Sequence, residues 1–373
     1  MKKENVVQFE SFSSIYNENL QNELKKSDEF NSFFELEVIN LEREKYNFEI
    51  SNSYEYYNNI FKLNKIIYWL KFNKYLKIKY YYLKGSIVDI QFANIQFFYL
   101  IPFLKLTFNK IVLSFWGSDL LRLDKKQYFK LKNLIKIVDV LSFETSEFSN
   151  IFIQKIGKKH NSKMRKVRFG INLLKQIDLL SEDDISRFAR QYEINQGKQV
   201  VAIGYNRGKA HQHLLAIDSI INANVDPNLI HLVIPWTYGP NDEQYKDEIC
   251  RLIDGKYTYS FIDNKLTDKE IASLRKVTDI MIQVQTTDVM SSSMLETLYA
   301  KNIIITGSWL PYNDIYDAGV VMNKVDEVAE VGKMLTDVLE EHVSEDILEK
   351  NKQVIGKLYS WESCISAWIE MYK

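Results

Sequence analysis

Short apolar runs alternate with stretches of helical spacing along almost the whole chain, and this alternation constrains the fold more than any single motif. In the first half the runs are Val6-Val7, Phe33 to Ile39, IVDIQFA (87–93), KIVLSF (110–115), VDVLSFE (138–144) and RKVRFG (165–170). In the second half they are QVVAIGYN from Gln199, His231 to Ile234, Lys256 to Phe261, Asp279 to Val284 and Ile303 to Ile305. Strands separated by helices predict parallel sheets with helical crossovers. Ligands of such sheets gather at the carboxyl ends of the strands. A chain of 373 residues with this pattern suggests two α/β domains. Residues 171–198 turn polar and acidic and read as an interdomain linker with a short helix, which sets the domains at 1–178 and 179–357.

The two halves differ in charge. Residues 1–180 carry 29 Lys+Arg against 19 Asp+Glu, and residues 181–373 carry 19 against 30. Within 61–180 the excess is 23 basic against 7 acidic. Such a bias favours an anionic partner for the first domain. The stretch 61–84, FKLNKIIYWLKFNKYLKIKYYYLK, interleaves lysines with aromatics. Ile66, Ile67, Trp69, Leu70, Phe72 and Leu76 predict an amphipathic helix with a basic rim, suited to an anionic membrane surface or to core packing. A nucleic-acid role would need stacking platforms on a sheet or groove, and no nucleic-acid partner is expected. Cys250 and Cys364, widely separated, argue against a disulfide scaffold or zinc site. The start, MKKENVVQFESF, lacks the apolar run of a signal peptide, and no transmembrane helix is predicted. The expected location is cytoplasmic.

Three loops carry polar groups where such sheets bind ligands. No glycine precedes Gly85, so the first domain lacks a glycine-rich phosphate turn and is not expected to hold a nucleotide. Its candidate loop is Trp116-Gly117-Ser118-Asp119, with a tight turn at Gly117, a stacking surface at Trp116 and a carboxylate at Asp119 that could serve as a general base, bind sugar hydroxyls or cap the next helix. In the second domain the loop GYNRGKAHQH holds Gly204, Asn206, Arg207, Gly208, Lys209, His211 and His213. Its glycines let the backbone approach a ligand, its cations suit phosphate, and the following helix adds its dipole. His211 and His213 have no third metal ligand at fitting spacing, so no metal is expected. The third stretch, DVMSSSMLETLYAKNIIITG, runs from Asp288 through Ser291, Ser292 and Ser293 into a helix and a buried strand. A polar turn feeding a helix N-terminus is an anion site, and Glu296 sits one turn inside it.

This last stretch resembles the nucleotide-sugar site of GT-B glycosyltransferases of the group-4 type. There a Glu, seven residues and a second Glu precede a small-residue turn. Here the pair is Asp288 and Glu296. The resemblance implies that Glu296 holds the donor ribose and that the serines face the diphosphate. Asp288 stands where the family has a Glu toward the donor sugar. Trp116 to Asp119 resembles the loop in which a His or aromatic precedes Gly-x-Asp and faces the reacting sugar and acceptor. The passage from Gly204 to Tyr245 resembles the bacterial family that transfers Fuc4NAc from a dTDP-sugar to a lipid-linked acceptor. Gly204 and His213 match its Gly-Asn loop, and Pro235, Tyr238, Asn241 and Tyr245 match its second loop, with Gly239 in place of Pro.

Together these resemblances imply a GT-B architecture, two Rossmann-like domains facing across a cleft, with a C-terminal helix (358–373) crossing back to the first. They imply a metal-independent glycosyltransferase without a cofactor. Its donor would be a UDP- or dTDP-sugar and its acceptor a saccharide, lipid-linked, in bacterial surface-glycan synthesis at the inner face of the membrane. Arg207 and Lys209 would stabilise the leaving phosphates. The alternatives are a sugar-nucleotide epimerase and a non-catalytic GT-B-like partner of another transferase.

Overall fold

The computed structural model describes residues 3–11, 14–51, 62–341 and 343–373. The chain divides into two compact units, Met1–Gly170 with Trp361–Lys373, and Ile171–Ser360. The first unit holds a six-stranded sheet of β1 (Glu4–Glu10), β2 (Phe34–Asn40), β3 (Ser86–Gln91), β4 (Phe108–Ser114), β5 (Val140–Phe143) and β6 (Met164–Lys166). Its order is β2-β1-β3-β4-β5-β6, and all neighbours are parallel. The second holds β7 (Gln199–Ile203), β8 (Ile230–Pro235), β9 (Thr258–Ile262), β10 (Ile280–Gln283), β11 (Ile303–Gly307) and β12 (Asn323–Val325). Its order is β12-β11-β10-β7-β8-β9, again all parallel. β3 and β8 are buried along their whole length, because helices cover both faces of a parallel sheet.

The division falls after Gly170. The stretch read as a linker forms two helices of the second unit, Leu173–Leu179 and Glu182–Gln191, the second opened by a capping box at Ser181 and Asp184. Both bury an apolar stripe on that unit, Leu173 and Ile177 with Ala272, and Ile185 and Phe188 with Val200 and Leu274. The last helix, Trp361–Tyr372, belongs to the first unit. Trp361, Trp368 and Ile369 pack with Val6, Phe30, Ile87 and Val112. Trp368 Nε1 donates to the Arg168 carbonyl at 2.9 Å, and the Tyr372 hydroxyl donates to Asp89 at 2.7 Å. A large buried aromatic with its polar tip satisfied is a strong anchor.

The amphipathic reading of 61–84 needs correction. Residue 61 lies outside the described residues. The helix Lys62–Lys79 buries Trp69, Phe72 and Leu76, and leaves Ile66, Ile67 and Leu70 exposed. Tyr99 stacks on Trp69 at 4.9 Å, and buried Asn73 bonds the Tyr99 carbonyl and the Phe103 N–H. After β3 the chain forms a 3-10 segment, Ile95–Leu100, continued by an α-helix, Ile101–Thr107, with Pro102 in its first turn where no intrahelical N–H is needed.

Candidate nucleotide-sugar site

In the second sheet β7 and β10 are neighbours, but the chain leaves β7 toward β8 and leaves β10 toward β11. That reversal opens a crevice at their carboxyl ends, the place where ligands of open parallel sheets bind. The loops after β7, β8, β10 and β11 open there, and the residues singled out in the second domain lie on those loops, at the end of β8 or in the first two turns of the helices that follow.

The loop after β7 turns at Gly204, whose φ is +64°. A Cβ there would lie 2.8 Å from the His211 ring, so both conformation and space demand glycine. His211 lies edge-on to Tyr205 at 4.4 Å. His211 and His213 are almost fully buried, and desolvation lowers their pKa values to about 3 and 4. They are neutral walls of the loop, His213 facing the Tyr245 hydroxyl at 3.2 Å, and add no charge for a phosphate.

The cations of this loop are tethered to the loop after β8. Arg207 donates through Nε to the Gly239 carbonyl at 2.8 Å and through Nη1 to Asn241 at 3.0 Å. Gly239, at φ +108°, brings its backbone against the Arg207 stem. Lys209 pairs with Asp242 at 2.8 Å and lies 5.1 Å from the Tyr245 ring centre. Asn206 accepts from the Gly208 N–H at 2.8 Å, closing the turn between them. Pro235 ends β8, and Tyr238 reaches from the following loop into the field of Arg275, Glu296 and Asp288.

That convergence defines the site. The helix Ser292–Tyr299 is capped by Ser291, whose hydroxyl accepts from the Met294 N–H, so Ser292 and Ser293 form the first turn. Glu296, one turn in, accepts from Arg275 through Nε and Nη2, both at 3.0 Å to the same oxygen. The two side chains are 9% and 12% exposed. Burial raises the Glu296 pKa, and Arg275 opposes the rise. The pair fixes one carboxylate oxygen of Glu296. Arg275 was not singled out in the sequence, because it sits in the last turn of the helix Asp268–Val277, 21 residues from its partner. Asp288 accepts from the Tyr312 hydroxyl at 2.6 Å, which in turn accepts from Gln283 at 3.2 Å, and burial raises its pKa. Tyr205, Gln285 and Trp309 complete the wall: Gln285 donates to the Tyr205 hydroxyl at 2.9 Å, and Trp309 Nε1 donates to the Gln285 carbonyl at 2.7 Å.

In the first unit, Gly117 takes φ +125° before the one-turn helix Ser118–Leu121. Asp119 is 3% exposed. Its carboxylate accepts from the N–H groups of Ala93 (2.8 Å), Gly117 (2.8 Å) and Trp116 (3.1 Å), and burial pushes its pKa up to about 6. This geometry makes Asp119 the clasp of the loops after β3 and β4. It does not offer a carboxylate to a reacting hydroxyl, so the expected base role has no support in its placement. Trp116 donates through Nε1 to Gln91 at 3.2 Å and packs edge-on to Tyr16, Phe92 and Phe169, while Ser118 is exposed.

A groove of about 990 Å³ lies elsewhere in the first unit, at the β2 edge, lined by Glu10, Glu18, Glu37, Glu44, Arg43 and Lys79 among others. Its predominantly acidic wall repels a diphosphate. Among the described residues no three His, Cys, Asp or Glu side chains are grouped to hold a metal ion.

No family model matches the sequence, and no curated protein matches it. Solved structures do. HepE from Anabaena, solved with UDP-glucose, superposes with a TM-score of 0.70 at 11% identity over 98% of either chain. Sucrose-phosphate synthase from Thermosynechococcus elongatus gives 0.70 at 10% identity, covering 99% of this chain and 98% of that one. A glycosyltransferase from Rickettsia africae gives 0.70 at 10%, covering 100% and 98%. The fold is therefore that of the GT-B glycosyltransferases.

Proposed function

We propose that this protein is a glycosyltransferase that moves a sugar from a nucleotide-diphosphate donor, a UDP- or dTDP-sugar, to a saccharide acceptor. The observation that carries this is the buried Arg275–Glu296 pair on the helix Ser292–Tyr299, whose N-terminus is capped by Ser291 at the switch point of the second sheet. A helix N-terminus favours the diphosphate. A carboxylate oxygen held beside it suits the ribose hydroxyls. The binding of UDP-glucose by a protein of like fold fits this chemistry.

In the reaction the acceptor hydroxyl oxygen bonds to the anomeric carbon. The bond from that carbon to the β-phosphate oxygen breaks, the nucleoside diphosphate leaves, and the hydroxyl proton passes to solvent. Arg207 and Lys209 stabilise the leaving phosphates once they exchange Asn241 and Asp242 for phosphate oxygens. Asp119 holds the Trp116 loop in shape for the acceptor. The acceptor is a saccharide on a lipid carrier in surface-glycan synthesis, as the likeness of residues 204–245 to the Fuc4NAc transferases suggests. On this reading the protein works at the inner face of the membrane. The tethering of both cations to neighbouring side chains keeps a second reading in play, a non-catalytic partner of another transferase.

The test is thermal stabilisation by UDP, dTDP, GDP, CDP and ADP, with and without divalent metal. A diphosphate at 100 times its Kd adds about 2.7 kcal/mol. A shift with one diphosphate, lost in Glu296→Ala or Arg207→Ala, supports the transferase. No shift with any diphosphate sinks it in favour of the non-catalytic partner.

A further inference from the structure

The helix Lys62–Lys79 has two apolar faces. One is the core face of Trp69, Phe72 and Leu76. The other points outward. Ile66, Ile67, Leu70 and Ile78 are 59%, 42%, 62% and 67% exposed, with exposed Lys71, Lys74 and Lys77 among them. At about 100° per residue these seven positions fall within an arc of about 140°, and the core positions fall outside it. Tyr81 and Tyr82, just past the helix, are 66% and 63% exposed. Lys74, Lys77, Ile78 and Tyr81 line a shallow depression at this end. From Lys62 to Lys84 the chain has seven lysines and no Asp or Glu.

We infer that this outward face is a docking surface for an anionic lipid bilayer, with the helix lying flat in the headgroup region. The aliphatic side chains enter the acyl boundary. The lysine stems follow them and raise their ammonium groups to the phosphates, and the tyrosines sit at the interface. An apolar face with lysines inside its arc and no acid on the helix itself fits lipid phosphates better than a protein surface, which would have to supply both apolar area and acid in register. Ile66 and Ile78 are separated by twelve residues, about 18 Å of helix. No described helix is long and apolar enough to cross a membrane, so this element lies on the bilayer. The inference extends the lipid-linked acceptor reading, but its test uses neither donor nor acceptor, so either can fail alone.

The experiment is co-sedimentation of the full chain with phosphatidylcholine vesicles with and without phosphatidylglycerol, at low and high salt. Binding to the anionic vesicles at least tenfold stronger than to the neutral ones, and weakened by salt, is expected. Lys74→Ala with Lys77→Ala should weaken it by about fivefold per lysine. Leu70→Ser with Ile78→Ser should weaken it at least tenfold while leaving the thermal midpoint and any nucleotide-induced shift intact, since both side chains are exposed. Equal binding to the two vesicle types overturns the proposal, as does wild-type binding by the Leu70/Ile78 variant. So does a dimer that dissociates in that variant without vesicles, or duplex DNA binding that displaces the vesicles.

Discussion

Replacing Arg275 with Met tests the centre of the site. The substitution keeps helix propensity and most of the side-chain volume, and removes the charge that faces Glu296. Glu296 is then left buried without its partner, and it must either stay ionised at high cost or take a proton. Protonation sets the ceiling. Holding a carboxyl neutral at pH 7, two and a half pH units above its ordinary value of 4.5, costs about 3.4 kcal/mol at about 1.36 kcal/mol per unit. That agrees with the roughly 3–5 kcal/mol typical of breaking a buried pair. At pH 5 the same cost falls to about 0.7 kcal/mol. The sign follows from the raised folded-state pKa, which gives stability below about pH 4.5 that is lost as pH rises. Urea unfolding of wild type and variant at pH 5, 6 and 7 should show a deficit of about 1 kcal/mol growing to about 3. Adding Glu296→Gln should recover most of the loss at pH 7, giving a coupling of at least 1 kcal/mol in a double-mutant cycle. A deficit that is flat with pH, or a double variant no better than Arg275→Met, would refute Arg275 as the group that opposes the rise in the Glu296 pKa.

Three further outcomes follow from the same geometry. Asp119→Asn replaces a carboxylate that accepts three backbone N–H bonds with an amide of one acceptor oxygen, so at least one N–H loses its partner and stability drops by about 1–3 kcal/mol; unchanged unfolding in urea would show that the clasp carries no weight. Gly204→Ala meets both a left-handed backbone and the His211 ring, and should cost about 1–3 kcal/mol and abolish nucleotide-induced stabilisation; a wild-type thermal midpoint would exclude the crowding. His211, His213 and His231 are held neutral, with pKa values lowered to about 3, 4 and 4 by burial, so the second unit loses stability as pH falls from about 6.5 toward 4, by up to about 4 kcal/mol per pH unit before the raised carboxyls Asp288 and Glu296 offset part of it. Amide-exchange protection of β7 and β8, corrected for intrinsic rates, should fall over that range, and protection that rises would contradict the burial of these rings.

Periodicity carried the layer structure, because a strand buried on both faces and a helix with one apolar stripe differ in repeat. The caps were legible for the same local reason: Thr267 and Glu270 close a capping box, and Ser291 accepts from Met294, all within four residues. The orientation of the helix Lys62–Lys79 was not legible. Both its faces are apolar, and only the packing of Trp69 on Tyr99 and the bonds of Asn73 decide which one turns inward. The role of Asp119 depended on Ala93, 26 residues earlier on another loop. The packing of residues 171–198 was not legible, because a helix with many acids, such as Glu182–Gln191, looks solvated until its partners in the helix Asp268–Val277 are known.

The two sheets treat their buried acids differently, and this difference argues for where a nucleotide binds. In the first unit Asp89 and Asp119 are surrounded by neutral donors: the Tyr372 and Ser114 hydroxyls and the Gln91 amide for one, backbone N–H groups for the other. Their pKa values rise to about 6, so at neutral pH they add negative charge at the core of the sheet and its loops, held by neutral donors among the described residues. A diphosphate placed there would meet that charge directly. In the second unit Glu296 is matched by Arg275, and the loops beside it bring Arg207, Lys209 and the first turn of a helix. On the proposed reading the acid there already faces a cation before the ligand arrives, and Arg207 and Lys209 would turn to its phosphates. Breaking the Arg275–Glu296 pair should therefore weaken diphosphate binding as well as folding, whereas breaking the Asp119 clasp should disturb folding and leave diphosphate affinity as it was.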